Sequence, residues 1–103
     1  MDLGEEINTL SYKFPEREKF NLSSQITRAI DSVALNISEG SIGQSDAEFG
    51  RFLGYSVRSI AEVVTCLYKA RNRNYLPEDE FKVNYDRCFN LLNMIVAFRK
   101  NLN

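Results

Sequence analysis

Apolar residues recur every three or four positions along almost the whole chain, which is the pattern of amphipathic helices. Four of them, Leu3, Ile7, Leu10 and Phe14, predict a first helix of about three turns. Pro15 is expected to end this helix, because proline cannot continue the backbone hydrogen bonding.

The second predicted helix runs from about Leu22 to Glu39, with Asn21 as its N-cap. Gly40 follows as a C-cap, because glycine takes the left-handed conformation at little cost. The core-facing stripe of this helix consists of Leu22, Ile26, Ala29, Ile30, Val33 and Ile37.

The third predicted helix begins at Ser45, which forms an S-x-x-E capping box with Glu48 just before an apolar run. No helix breaker follows until Pro77, so this helix is long, roughly 45 Å. Its core stripe is Phe49, Leu53, Val57, Ile60, Val64 and Leu67, with Phe52 and Val63 at the edge.

Pro77 is expected at the first position of a fourth helix, and the acidic run 78–80 suits the positive N-terminal end. Its inner face is Phe81, Tyr85, Cys88, Leu92, Ile95 and Val96. Four such helices with short links predict an all-α fold, an up-down-up-down four-helix bundle forming one domain over residues 1–103. The first helix is too short to cover the third and fourth, so we expect either an earlier natural start or coverage by another subunit.

Polar residues form a narrow band beside the apolar stripe of the second helix. This band is rich in amide and hydroxyl groups, which pair well in partly buried surroundings. It predicts a hydrogen-bond network with a neighbouring helix or subunit; the alternative is an ordinary boundary face. Arg28 or Arg51 is a possible charge partner for Glu39. The band consists of Gln25, Arg28, Ser32, Asn36 and Glu39.

A second apolar stripe on the fourth helix, Leu91, Met94 and Phe98, lies away from the inner face. A surplus apolar stripe indicates an interface, here self-association. The alternative is that the short first helix packs there.

The third helix carries basic residues on a broad outer face: Arg51, Arg58, Lys69 and Arg73. Tyr55 and Glu62 share this face. Basic residues with an interleaved aromatic can bind phosphate backbones, so the face is a candidate RNA or DNA contact. The alternative is a solvated face. The G-x-x-x-G of Gly50 and Gly54 indicates close helix packing.

The charge balance excludes a general nucleic-acid-binding surface, because the net charge is −1 and the pI about 5.4. The charge is uneven, however. Residues 1–21 hold five acids and three bases, a net of −2, while residues 45–74 hold three acids and five bases, a net of +2. Any site for an anion must therefore be local.

Catalytic motifs are missing from the sequence. There is no histidine, which excludes Ser-His and Cys-His nucleophiles, and there is no phosphate-binding glycine loop. The two cysteines lack metal-ligand spacing. We therefore expect no enzyme activity, cofactor or metal. Neither a signal peptide nor a membrane span is predicted, so the expected location is the cytoplasm.

Two segments, FPEREKFNLSSQITRAIDSVALNISEG and EFGRFLGYSVRSIAEV, resemble the four-helix-bundle family of 23S ribosomal RNA intervening-sequence proteins. The resemblance spans roughly residues 10–76. The matching positions are Phe14, Pro15, Leu22, Gln25, Ile26, Arg28, Ala29, Ser32, Asn36, Ile37, Glu39, Gly40, Glu48, Phe49, Arg51, Phe52, Leu53, Ser59 and Glu62.

The resemblance implies a bundle that assembles into a ring, a homopentamer in related members. The chain is also similar to the accessory protein of diversity-generating retroelements, which engages nucleic acid and a reverse transcriptase. No catalytic residues come with the family. The leading hypothesis is a non-enzymatic oligomeric protein that engages RNA or DNA weakly or through a partner. The alternative is a protein-binding adaptor or scaffold.

Overall fold

The computed structural model describes residues 2–43 and 45–102 and contains four α-helices in those ranges. They are α1 (Leu3–Ser11), α2 (Leu22–Ser41), α3 (Asp46–Asn72) and α4 (Glu78–Lys100), with a 3-10 turn at Glu16–Glu18. Neighbours in the sequence α1–α2–α3–α4 pack together, and α1 also contacts α4. The predicted all-α bundle with a short first helix is confirmed.

The core is built from the predicted stripes of all four helices. Ile7, Ile26, Ile60 and Leu67 are completely buried. Val63, which we expected at the edge of its stripe, is also fully buried, because that side of α3 faces α2. Burial of these aliphatic side chains is the main stabilising term of the fold.

The first helix is shorter than predicted. It ends at Ser11, and Phe14 lies beyond it in a turn closed by the bond from the Phe14 N–H to the Ser11 carbonyl. A residue before proline disfavours helical backbone, which explains why the helix stops before Pro15. Phe14 nevertheless packs into the core.

The predicted C-cap role of Gly40 is wrong, because α2 continues through it to Ser41 and no glycine in the described ranges has a positive φ. A Cβ at Gly40 would lie 2.8 Å from both Phe49 Cδ1 and Phe52 Cβ. Glycine is therefore required for the close approach of α2 to α3.

The other helix ends follow simple chemistry. The Ser45 hydroxyl accepts a hydrogen bond from the Glu48 N–H at 3.1 Å, as the capping box predicts. Pro77 is the N-cap of α4 rather than its first residue. Asn74 has a φ of 62° and closes α3 in the left-handed conformation that asparagine tolerates.

Candidate functional site

Three arginines surround one depression at the end of the bundle where α3 begins and α4 ends. Arg51 and Arg58 come from α3 and Arg99 from α4. The depression has a volume of about 480 Å³, and its walls are completed by Ala47, Gly50, Gly54, Tyr55 and Val57. We call Arg51, Arg58 and Arg99 the arginine cluster.

The two glycines of the G-x-x-x-G segment make room for this cluster in different ways. A Cβ at Gly54 would lie 3.2 to 3.3 Å from Cζ and both terminal nitrogens of Arg99, so the guanidinium lies against bare α3 backbone. A Cβ at Gly50 would meet nothing within 4 Å. Gly54 thus admits a side chain of the protein, while Gly50 leaves open space beside it.

No carboxylate of the described residues pairs with the arginine cluster. Across residues 2–43 and 45–102, none of its three members lies within 4.0 Å of an acidic oxygen, and the depression has no acidic lining residue. Two of its members lie beside aromatic rings: the Arg58 guanidinium is 5.7 Å from the Tyr55 ring centroid, and the Arg51 guanidinium is 5.9 Å from that of Phe52. Unpaired guanidinium groups in a concave site are suited to an anion with several oxygens.

The four predicted basic residues do not form one patch. Arg51 and Arg58 belong to the arginine cluster, whereas Lys69 lies about 16 Å further along α3 from Arg58. Arg73 forms an ion pair with Glu18, with Nη1 and Oε2 2.9 Å apart.

Glu18 is the buried centre of a partly exposed network between the α1–α2 link and the α3–α4 turn. Its carboxylate accepts hydrogen bonds from Tyr75 Oη at 2.7 Å and from Arg73 Nη1 at 2.9 Å. It also accepts from Asn21 Nδ2 and from the Leu22 N–H. Asn21 is the N-cap residue of α2, as predicted, but its side chain makes no capping hydrogen bond, and the Glu18 carboxylate accepts from the Leu22 N–H instead.

The hydrogen bond from Tyr75 is the main reason that the pKa of Glu18 is lowered. Burial opposes this shift, while the Leu22 N–H and the Arg73 charge add to it. The carboxylate is consequently ionised at neutral pH, as an ion pair with Arg73 requires.

The polar band of α2 forms hydrogen bonds along its contact with α3. Asn36 Nδ2 donates to the carbonyl and hydroxyl oxygens of Ser32 at 2.8 and 3.0 Å, and the Ser32 and Ser59 hydroxyl oxygens are 2.9 Å apart. The Cys66 thiol donates to Gln25 Oε1 at 3.9 Å. The neighbouring helix is thus one partner of this band.

Two members of the band remain outside this network. Arg28 and Glu39 are exposed, and neither forms an ion pair with another described residue. The suggested pairing of Glu39 with Arg28 or Arg51 is therefore wrong in the single chain.

Both cysteine thiols are buried. Burial raises the pKa of Cys88 to about 11 and also raises the pKa of Cys66. Each side chain therefore stays a neutral thiol at neutral pH, where the thiolate would be the reactive form.

Each of the two alternatives raised by the sequence explains part of the second apolar stripe of α4. Leu91 is half-buried and lines a groove with Leu3 of α1. Met94 is 68% exposed and Phe98 51%, although the Phe98 ring contacts Phe49 with centroids 5.6 Å apart. The first helix packs beside Leu91 and leaves Met94 and much of Phe98 open.

Arg99 was missed by the sequence analysis. It lies seven positions after Leu92, itself seven after Tyr85, and so continues the register of these two residues at an exposed position of α4. Two features of the sequence could have indicated its role. Arg99 is a charged residue at a position where the seven-residue spacing otherwise places apolar side chains, and the G-x-x-x-G segment of α3 offers room for a large side chain from another helix.

These features define a small helical-bundle protein whose arginine cluster forms no ion pair within residues 2–43 and 45–102. In the parts of the chain that the structure describes, no helix is long and apolar enough to cross a membrane, and no group of three His, Cys, Asp or Glu residues could hold a metal ion. The model of the family described as 23S rRNA-intervening sequence protein matches residues 1–97, so the chain belongs to this family. No curated protein matches the sequence.

Proposed function

We propose that this protein is a non-enzymatic, oligomeric component of the cytoplasm that binds RNA or DNA through the arginine cluster. The observation that supports the proposal is that three arginines from two helices line one depression and that no carboxylate of the described residues pairs with them. Guanidinium groups form paired hydrogen bonds with phosphate oxygens. The family's name, which refers to a ribosomal RNA sequence, is consistent with such a partner.

Binding by one protomer is expected to be weak. Three arginines contact only a few phosphates, and the net charge of −1 provides no general attraction to a polyanion. Several copies of the cluster in one assembly would raise the overall affinity without any new contact, because the later contacts become intramolecular.

A double charge reversal tests this proposal. Arg51→Glu with Arg58→Glu should reduce affinity for a fluorescent oligonucleotide at least about a hundredfold, since two attractive contacts become repulsive. The matched control is Lys13→Glu with Lys19→Glu, which changes the net charge equally at exposed positions elsewhere. Equal losses in both variants would show a general charge effect and contradict the assigned site.

Exposed Met94 and Phe98 support the oligomeric part of the proposal, because a large apolar side chain on a surface favours association. Light scattering should give about five times the 11.9 kDa protomer mass at both low and high salt. Met94→Glu should lower this mass, whereas Ala97→Glu, at an exposed position on the same helix, should not. A monomeric wild-type protein would contradict the oligomer.

A protein-binding scaffold is the second candidate function. Tyr12, Phe20 and Ile42 are 88%, 90% and 81% exposed, which favours a protein partner. Binding through these apolar side chains should change little with salt, whereas binding through phosphates weakens steeply. The salt dependence of complex formation therefore separates the two candidates.

A further inference from the structure

A strip of surface continues from the arginine cluster along the contact between α3 and α4, and we call this strip the α3–α4 groove. Two series of residues spaced seven apart face each other: Gly54, Ala61 and Tyr68 on α3, and Tyr85, Leu92 and Arg99 on α4. Gly54 meets Arg99 at one end, and the Tyr68 and Tyr85 ring centroids are 5.8 Å apart at the other. Because the helices are antiparallel, Ala61 and Leu92 face each other between these ends. The groove is about 21 Å long.

The far end of this groove is aromatic. The Tyr85 and Phe89 ring centroids are 4.8 Å apart, and the Tyr68 ring packs on the buried Phe81 with centroids 5.1 Å apart. Tyr68 is 38% exposed and Phe89 37%. Each ring is therefore supported from within the bundle and still reaches solvent.

The charged residues beside these rings do not create a net negative surface that would repel a polyanion. Arg71 lies over Tyr68 with its Cζ 5.0 Å from the ring centroid. Two neighbouring acids have basic partners: Glu78 pairs with Arg71, and Asp86 pairs with Lys82. The aromatic end is thus close to electrically balanced, while the arginine end is positive.

We propose that the α3–α4 groove binds single-stranded nucleic acid, with phosphates on the arginine cluster and unpaired bases stacked on Tyr68 and Phe89. This inference rests on the proposed function and adds the class of nucleic acid. Single strands combine backbone contacts with base stacking on aromatic side chains, whereas the bases of a duplex are already stacked on each other. The arrangement of positive charge at one end and supported rings at the other matches a strand and not a duplex.

The test compares a single strand with a duplex of the same length by fluorescence anisotropy. Phe89→Leu should weaken binding of the single strand about fivefold or more, which is the effect of losing one stacked base. Binding of the duplex should not change. Phe20→Leu is the matched control, because Phe20 is exposed on a different face of the bundle. Tyr68→Leu is a second variant, and thermal unfolding checks that each variant is folded.

The outcomes separate this inference from the proposed function. If Phe89→Leu and Tyr68→Leu bind both nucleic acids like the wild type while the Arg51→Glu, Arg58→Glu variant binds neither, the groove assignment is wrong and the phosphate site stands. If the aromatic variants weaken both nucleic acids equally, stacking is not selective and the groove assignment is also wrong. If the double charge reversal changes nothing, the proposed function itself fails.

Discussion

Arginines at the two ends of α3 have opposite surroundings. Arg73, near the C-terminal end, is paired with the buried carboxylate of Glu18. Arg51 and Arg58, toward the N-terminal end, lie with Arg99 around a depression in which none of the described lining residues is acidic. The residue type is the same in both regions, and the difference is whether the structure provides a counter-charge.

This difference indicates separate roles for the two regions. The charge of Arg73 is neutralised where two connections meet, so this arginine joins parts of the fold. The arginine cluster brings like charges together, which is unfavourable for the folded state unless an anion binds. A basic stripe in a sequence therefore indicates a ligand site only at those residues that do not form ion pairs within the protein.

The largest effect on stability is expected at the paired end. Glu18→Gln removes the charge that Arg73 and Tyr75 face and should lower the melting temperature clearly. Glu16→Gln, at an exposed position in the same 3-10 turn, should have little effect. Thermal unfolding followed by circular dichroism measures both. Similar melting temperatures for the two variants would show that the Glu18 network contributes little.

Acid should act on the same end of the molecule. The pKa of Glu18 in the folded chain is below its ordinary value of 4.5, so its contribution is complete above that pH and decreases as the pH falls through the lowered value. The wild type should therefore lose more stability than Glu18→Gln when the pH is lowered from 5 toward 3. Parallel stability curves for the two proteins would contradict this assignment.

A smaller effect is expected from the glycines at the open end. Gly50→Ala should raise the free energy of unfolding by about 0.5–1 kcal/mol, because alanine favours the helix and the added Cβ meets no neighbour. Gly54→Ala should gain less, since Arg99 must shift away from the new methyl group. Urea unfolding compares the two, and an equal gain would mean that Arg99 is not held against α3.

The smallest effect on stability is expected for the arginine cluster itself. Arg58→Gln should leave the free energy of unfolding within about 0.5 kcal/mol of the wild type, because no ion pair is lost. Arg73→Gln should cause a larger decrease, since it removes the partner of Glu18. Urea titrations of the two variants test this contrast directly, and a larger loss for Arg58→Gln would reverse our assignment of the two ends.

Much of the fold could be predicted from the sequence, because the apolar periodicity specifies which face of each helix is buried. Local signals also identified Ser45 as an N-cap. The role of Gly40 could not be predicted, because the close approach of Phe49 and Phe52 depends on how α2 and α3 pack. A glycine that follows an apolar helical stripe has the same sequence pattern whether it ends the helix or allows another helix to approach closely.

The candidate site was only half predictable. Arg51 and Arg58 follow from the helical spacing of basic residues on α3. The sequence could not show that Arg73 is neutralised by Glu18, because the two residues meet only through tertiary packing. The sequence also could not show that Arg99 lies against Gly54, because this contact depends on the register of α4 against α3.

The central claim is that the arginine cluster binds nucleic-acid phosphates, and the dependence of affinity on salt tests it most directly. The wild type should be compared with a variant in which Arg51, Arg58 and Arg99 are all replaced by glutamine. The slope of log affinity against log salt should be smaller in the variant by about two to three, because about 0.7–0.9 is lost per phosphate contact. Parallel lines for the two proteins would contradict the account.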